Sequence, residues 1–151
     1  MKKIIALLSL LFIVKICYAE KIEFVLNCEE YKNKNFKEIS FGKIISFGDK
    51  GIWVGTNSNG SSVNNSQNLV KVSTSKGDIL FESDDGLWIY KIDRESLDLT
   101  MGIKKIDRTW WYECVKSKNP QENYNTVKEL LMKKERQDEI LEEQKFKRNK
   151  I

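Results

Sequence analysis

The sequence predicts a mainly β fold: an eight-stranded antiparallel meander that closes into a β-barrel and is followed by one long C-terminal α-helix. Apolar and polar residues alternate with a period of two in short segments between residues 21 and 117, turn-forming sequences separate these segments, and a helical pattern begins only at residue 119. A flattened sandwich of the same strands is the alternative arrangement, but only closure into a barrel removes the exposed strand edges.

Alternation is clearest in the first predicted strand, where an apolar row faces one side and a polar row the other. The apolar row consists of Ile22, Phe24, Leu26 and Cys28. In the second strand, Phe41, Ile45 and Phe47 share a face. The eight predicted strands span 21–31, 39–47, 51–56, 68–74, 79–83, 87–92, 97–102 and 109–116.

Most connections between these strands have the length and composition of hairpin turns. Glycine supplies a positive φ at such turns, and aspartate or serine hydrogen-bonds to its own backbone. The turns are 48–51, 75–78, 83–86 and 93–96. Only the polar stretch 57–66 is longer than a hairpin needs, and we expect it to be a mobile surface loop, either a lid at one end of the barrel or a tolerated loop tip.

Two hairpins share the pattern Asp-x-Gly-aliphatic-Trp-aliphatic, in GDKGIWV (48–54) and SDDGLWI (83–89). Their flanking sequences do not match, so we interpret the likeness as common turn chemistry and not as a duplication. The tryptophans of these hairpins, Trp53 and Trp88, are candidate contacts for a ligand or a partner, together with Trp111.

The first nineteen residues have the pattern of a secretory signal peptide: two lysines, an apolar run from Ile4 to Val14, and Ala19 before a cleavage point at Glu20. Lipidation at Cys17 is the alternative. The apolar run is too short for a membrane span, which needs about twenty residues. No membrane span is therefore expected after cleavage, and the Lys-, Ile- and Asn-rich composition favours a periplasmic or secreted protein of a bacterium with an AT-rich genome.

Cleavage would change the charge of the chain. The whole chain has a net charge of +4, but removing Lys2, Lys3 and Lys15 leaves 23 basic and 22 acidic residues. Because nucleic-acid binding depends on clustered basic residues, this balance gives no support for a nucleic-acid partner.

The segment RTWWYECVKS (108–117) combines three aromatic residues with a cysteine. Alternation places Trp110 and Tyr112 on the face of Cys114, and Trp111 on the opposite face. Since the first and last strands of a closed meander are neighbours, a Cys28–Cys114 disulfide would join them, as is common in exported proteins. We expect Trp111 to pack under the C-terminal helix, against Tyr124 or Val127; the alternative is an exposed Trp111 that contacts a sugar or a partner.

The helix should begin at Pro120, after Asn119 as the N-cap and with Glu122 completing a capping box. Its apolar stripe consists of Tyr124, Val127, Leu130 and Leu131. Charged residues then replace the stripe from residue 133 onward. We therefore expect the first turns to dock on the barrel and the remainder to project, as a solvated tail or as a helix that binds a partner.

No catalytic or metal-binding constellation stands out. The chain contains no histidine, so a cysteine nucleophile would lack its usual base, and the two cysteines that remain after cleavage removes Cys17 cannot form a zinc site by themselves. The acidic residues Asp78, Glu82, Asp84 and Asp85 do not follow the calcium-loop pattern. The sequence therefore nominates no catalytic residue, no metal ligand and no cofactor.

The predicted organisation is a signal peptide at 1–19, a barrel domain at 20–118 and a charged helical tail at 119–151. EFVLNCEEY, IYKIDRESLDLTM and WWYECVK resemble segments of small exported proteins of AT-rich bacteria, in whose hairpin a glycine is expected where this chain has Leu97. That resemblance implies a lipocalin-like β-barrel and carries no known activity. The chain also resembles, more faintly, the periplasmic lysozyme inhibitors, although their inhibitory loop motif is not visible.

Two functions remain open at this level, and an enzyme would require a cleft of carboxylates that the sequence does not reveal. One is a non-enzymatic barrel that binds a small apolar or amphiphilic ligand, although an interior filled by large side chains would leave little room for it. The large residues concerned are Phe24, Phe41, Phe47, Phe81 and Trp110. The other is a protein-interaction module, such as an envelope accessory protein or an enzyme inhibitor, that uses the loop at 57–66 or the helix.

Overall fold

The computed structural model describes residues 21–31 and 40–149. The predicted signal peptide, its cleavage point at Ala19 and Glu20, and Cys17 lie outside the described residues. Within them, the predicted fold class is confirmed: eight antiparallel strands form a closed barrel, and one helix follows. The strands are β1 (Ile22–Glu30), β2 (Phe41–Phe47), β3 (Lys50–Thr56), β4 (Val63–Thr74), β5 (Asp78–Ser83), β6 (Trp88–Asp93), β7 (Leu99–Ile103) and β8 (Ile106–Lys116), and the helix is α1 (Pro120–Arg148).

Each strand pairs with the next one along the chain, and β1 closes the barrel by pairing with β8. The sandwich alternative is therefore wrong. Closure occurs at the predicted disulfide, because Cys28 and Cys114 are directly opposite in the β1–β8 register, with their Cα atoms 4.1 Å apart and a sequence separation of 86. The bridge ties the first strand to the last.

The hairpin turns fall where the sequence placed them, and positive φ angles occur at their key positions. Gly48 and Gly86 have φ values of 59° and 72°, which glycine adopts without steric cost. Leu97 also has a positive φ, 65°, although it has a Cβ. Its N–H donates to the Asp93 carbonyl oxygen, and its side chain packs against the barrel core.

The polar stretch after β3 is shorter as a loop than predicted. β4 begins at Val63, so only residues 57–62 connect the strands, and Asn64, Asn65 and Ser66 belong to β4. Asn57 organises this loop: its Oδ1 accepts the Ser62 N–H and its Nδ2 donates to the Ser61 Oγ. The polar composition of residues 63–66 suits a strand end at the surface, which explains why the composition alone predicted a longer loop.

Two apolar clusters stabilise the molecule, one inside the barrel and one outside it. The inner cluster includes Leu26, Ile44, Trp53, Leu69, Phe81, Tyr90, Ile92, Leu99, Met101 and Tyr112, with the two cysteines. The outer cluster joins Val25, Ile45 and Val54 on the barrel to Val127 on α1. Docking of the first helical turns on the barrel is thus observed, and Tyr124 packs against Phe47 with their ring centroids 6.1 Å apart.

The outer cluster corrects three expectations. Trp111 does not pack under α1: it is 56% exposed, because the helix crosses β1 toward β4 and leaves the outer face of β8. Phe47 lies outside the barrel, under the helix, so it does not fill the interior. Ile22 also belongs to the outer cluster, because a register shift between Ile22 and Phe24 reverses the alternation there.

Beyond its first turns, α1 extends away from the barrel. All its residues from Glu135 onward are exposed. Pro120 begins the helix as predicted, but the Asn119 side chain makes no capping hydrogen bond, so the predicted capping box does not form. Among residues 21–31 and 40–149, no helix has the length and hydropathy that a membrane span needs.

Candidate functional site

The two ends of the barrel differ, and the meander fixes which loops meet at each. The loops after β3, β5 and β7 lie at one end, which we call the mouth: residues 57–62, 84–87 and 104–105. The turns after β2, β4 and β6 lie at the other end, the base: residues 48–49, 75–77 and 94–98. The helix also begins at the base, because it follows β8.

A cavity of about 730 Å³ opens at the mouth, and we call it the mouth cavity. Its volume lies within the range of about 300–1,000 Å³ that is usual for small-molecule sites. Its lining residues are Ser40, Phe41, Trp53, Gly55, Thr56, Asn57, Ser58, Asn64, Asn65, Trp88, Met101, Trp110 and Tyr112.

One side of the mouth cavity is aromatic. Trp88 on β6 and Trp110 on β8 are partly buried neighbours whose ring centroids are 5.4 Å apart. Deeper in the barrel, Trp53 meets Tyr112 edge to face, with centroids 5.2 Å apart, and Tyr90 lies 6.1 Å from Trp53. Trp53 and Tyr112 thus form the floor of the cavity, and the almost completely buried Tyr90 packs against Trp53 beneath it.

The opposite side is polar, and the loop 57–62 and the start of β4 provide it. The Asn57 amide is committed to the loop through Ser61 and Ser62. The Asn64 and Asn65 side chains, in contrast, make no hydrogen bond within the described part of the chain. Each carries one amide that both donates and accepts, so this side can bind hydroxyl or amide groups of a ligand.

Two glycines make room for groups that line the mouth cavity. A Cβ on Gly42 would stand 2.3 Å from atoms of the Trp53 indole, so that ring lies flat against the backbone of β2. A Cβ on Gly55 would stand 2.4 Å from the Asn65 Oδ1, so the amide lies against β3. Both groups therefore lie close to a strand backbone.

The lining residues carry no ionised group at neutral pH. Burial, with a smaller contribution from the nearby Glu30, raises the pKa of the Tyr112 phenol to about 12, so it stays protonated. Two charges lie just beyond the described lining: the Glu30 carboxylate accepts a hydrogen bond from the Ser40 N–H, and the Arg108 guanidinium stacks 4.8 Å from the centroid of the Trp110 ring. A charged ligand in the cavity would lose water without gaining an opposite charge from the lining.

The structure brings two of the three sequence candidates together. Trp53 and Trp88 both line the mouth cavity, whereas Trp111 lies on the outer face of β8. Sequence reasoning assigned Trp110 to a filled interior, but it lines the cavity, and Phe41 lies at the cavity's edge. The alternation of the last strand was the available signal for Trp110, since it predicts an inward orientation, but it does not reveal whether a residue fills space or borders it.

Two other concave surfaces are less suited to a ligand. At the base, a pocket of about 150 Å³ lies among Phe24, Ile79, Ile92 and Leu97, too small for most metabolites. On the outer wall, a cleft of about 490 Å³ contains Glu29, Lys43 and Glu113. The Lys43 ammonium donates to the side-chain oxygens of Asn27 and Asn123, and burial lowers its pKa.

The acidic residues singled out in the sequence take part in surface contacts. Asp78 pairs with Lys91 at 3.3 Å and Glu82 with Lys104 at 2.9 Å, and Asp85 accepts a hydrogen bond from the Ser83 hydroxyl. Within the parts of the chain that the structure describes, no group of three or more acidic or cysteine side chains is placed to bind a metal ion.

Comparisons with protein-family models, with curated proteins and with solved structures gave no match for this chain. The geometry of the mouth cavity is therefore the basis for a functional proposal.

Proposed function

We propose that this protein is a non-enzymatic, exported barrel that binds a small, uncharged amphiphilic ligand in the mouth cavity. The observation that carries the proposal is the lining itself. Among the described residues, a cavity of about 730 Å³ is lined by aromatic rings on one side and free amides on the other, and none of these lining side chains is ionised. Sites for small molecules typically combine apolar walls with a few polar groups that fix orientation.

Export is supported by the disulfide between β1 and β8. Disulfides persist in the bacterial periplasm and outside the cell, whereas cytosolic thiols are kept reduced. Together with the signal-like first nineteen residues, this favours a protein that meets its ligand in the periplasm or in the medium.

A native mass spectrum of the protein purified without reductant tests the proposal directly. We expect a bound species that dissociates when the protein is denatured, and a chain mass that is two hydrogens below the reduced mass. The same preparation should show a change in tryptophan fluorescence when the ligand is removed, since three of the four tryptophans line the cavity.

Replacing single tryptophans locates the site. Trp88→Ala should remove the bound mass, and Trp111→Ala should leave it, because Trp111 is exposed on the outer face of β8. Equal retention of the ligand by both variants would show that it binds outside the mouth cavity.

The exposed outer face of β8 favours a second candidate function, a protein-interaction module. Trp111 and Val115 share this face and are 56% and 63% exposed. Aromatic side chains are enriched at protein interfaces. If a periplasmic partner binds there or on the projecting helix, Trp111→Ala or truncation after Lys133 should abolish its capture, while Trp88→Ala should not.

A further inference from the structure

We infer that the ligand of the mouth cavity is a short, uncharged saccharide. This inference rests on the proposed function and specifies it: the cavity binds a ring-shaped, polyhydroxylated molecule and not a chain-like amphiphile. Four properties of the cavity favour a saccharide over a chain-like amphiphile. They are its shape, its aromatic surfaces, its free amides and the lack of charge among its described lining residues.

The depth of the cavity argues against an alkyl chain. A chain-like ligand is best buried when it enters a long, apolar channel along the barrel axis. Here the rings of Trp53, Tyr112 and Tyr90 close the space below the mouth. Tyr90 and Phe81 are essentially inaccessible, at 1% and 0% exposure, so the barrel beneath the floor is filled. A ligand must therefore fit a wide, shallow space.

The aromatic side suits the faces of a sugar ring. The face of an indole ring carries partial negative charge, and it attracts groups with partial positive charge. The axial C–H groups of a pyranose provide such a surface on an otherwise hydrophilic molecule. Trp88 and Trp110 are both only partly buried, so their rings remain available at the edge of the cavity.

The polar side suits hydroxyl groups. An amide donates through its nitrogen and accepts through its oxygen, so one asparagine can bind two neighbouring hydroxyls of a sugar. The Asn64 and Asn65 amides are free for this purpose within the described residues. The Asn65 amide approaches the backbone at Gly55 closely, which a side chain at that position would prevent.

The charge of the lining favours a neutral sugar over an acidic one. The carboxylate of a uronic acid would have to lose water in the cavity, where the lining residues provide neither an ammonium nor a guanidinium group. Arg108 is the nearby cation that could reverse this preference, since its guanidinium stacks on Trp110 at the edge of the site.

Fluorescence titration of the disulfide-bonded protein with defined probes tests the inference. The neutral probes are maltotriose and N,N′-diacetylchitobiose, the acidic probe is trigalacturonate, and the non-saccharide probes are 1-decanol and nicotinamide. We expect a saturable change with at least one neutral saccharide. Trp88→Ala should weaken its binding about tenfold and Asn64→Ala about threefold to fivefold. Trp111→Ala should leave the affinity unchanged.

The other outcomes separate this inference from the proposed function. Binding of decanol or nicotinamide without binding of either neutral saccharide would overturn the saccharide and leave the amphiphile-binding function in place. Tighter binding of trigalacturonate that is lost in Arg108→Gln would overturn the neutrality of the ligand. If no probe binds and native mass spectrometry finds no bound species, both proposals fail. Circular dichroism and the oxidised mass should establish that each variant is folded.

Discussion

The mouth and the base of this barrel are built from the same eight strands, yet one end is hollow and the other is filled. At the base, aliphatic side chains such as Ile92 and Leu99 point inward and are almost completely buried. At the mouth, larger residues point inward, yet about 730 Å³ remains open among them. The size of the inward-facing residues therefore does not decide whether a barrel is filled.

The position of these large side chains against the strand backbones leaves the space at the mouth open. The Trp53 indole lies against the backbone at Gly42, and the Asn65 amide lies against the backbone at Gly55. A glycine on the neighbouring strand thus moves a large side chain from the centre of a barrel to its wall. This difference between the two ends can be tested by changing each of them separately.

The largest expected effect comes from removing the disulfide, because both ends depend on the same β1–β8 closure. A loop of this length, 86 residues in sequence separation, should contribute about 4–5 kcal/mol of stability. The double variant Cys28→Ala with Cys114→Ala should lose that amount in the free energy of unfolding, measured by urea denaturation. Unfolding of the wild type in the presence of reductant provides the matched comparison. A loss below about 1 kcal/mol in both experiments would mean that strand pairing alone closes the barrel.

The next largest effect comes from truncating a residue at the packed base, compared with truncating one at the open mouth. Leu99→Ala should cost about 2–5 kcal/mol, since Leu99 is completely buried at the base and is not among the residues that line the base pocket, so its truncation creates a cavity in a packed region. Trp88→Ala removes a larger side chain, but it should cost only about 1 kcal/mol because that ring is partly exposed beside an existing cavity. The measurement is thermal and urea unfolding of both variants, and equal losses would contradict the distinction between the two ends.

A smaller effect tests the role of glycine under a ring. Gly42→Ala should destabilise the protein by about 1–3 kcal/mol, because a Cβ there would overlap the Trp53 indole. It should also alter ligand binding, since the ring can move only toward the cavity. Gly77→Ala, at the base, is the matched control, because its nearest neighbour, the Ser75 Oγ, would be 4.0 Å away. In a double-mutant cycle, Trp53→Leu should recover part of the stability lost in Gly42→Ala; strictly additive losses would refute the steric explanation.

The smallest effect concerns an ion pair at the base end of the barrel, where Lys71 follows the inward-facing Leu69 and Ser46 is completely buried. The Lys71 ammonium donates to Glu23, and so does the Ser46 hydroxyl, both at 2.7 Å. The Lys71 hydrogen bond is the main reason why the pKa of Glu23 lies below its ordinary 4.5. Since the pKa is lower in the folded state, the stabilisation is complete above that ordinary value and is lost as the pH falls through the folded-state value.

Glu23→Gln should therefore lower the free energy of unfolding at pH 7 by about 0.2–1 kcal/mol, the range of exposed ion pairs. The difference between variant and wild type should shrink as the pH falls below 4.5, and should be smaller at pH 3 than at pH 7. Chemical denaturation at both pH values provides the test, and a difference that grows in acid would show that the carboxylate is not the stabilising form.

Much of the fold could be predicted from the sequence because period-two alternation and turn chemistry are local properties. The Cys28–Cys114 pairing followed from the same alternation, once closure made the first and last strands neighbours. At Leu97, where the resemblance to small exported proteins led us to expect a glycine, the backbone φ is 65°. A leucine there carries some backbone strain, and its contact with the core offsets that cost.

The candidate site was only partly predictable, because it depends on contacts between distant strands. Trp53 and Trp88 were identified, but no local pattern shows that they border the same space as Trp110. The apolar stripe of α1 likewise did not predict where the helix docks, because the same stripe could cover Trp111 as well as Val25 and Ile45. The helix packs on the outer faces of β1, β2 and β3, which present aliphatic residues. On the outer face of β8, the charged Glu113 lies between Trp111 and Val115.

The β1–β8 pairing also sets the order in which this chain can fold. Each hairpin can form as soon as its two strands exist, but the barrel cannot close before residue 116 has been synthesised. Pairings between distant segments form slowly because of the entropy lost in closing a long loop. A product that ends before β8 would leave β1 and β7 with unpaired edges, and such edges pair readily with other chains. An incomplete chain should therefore aggregate instead of forming a smaller barrel.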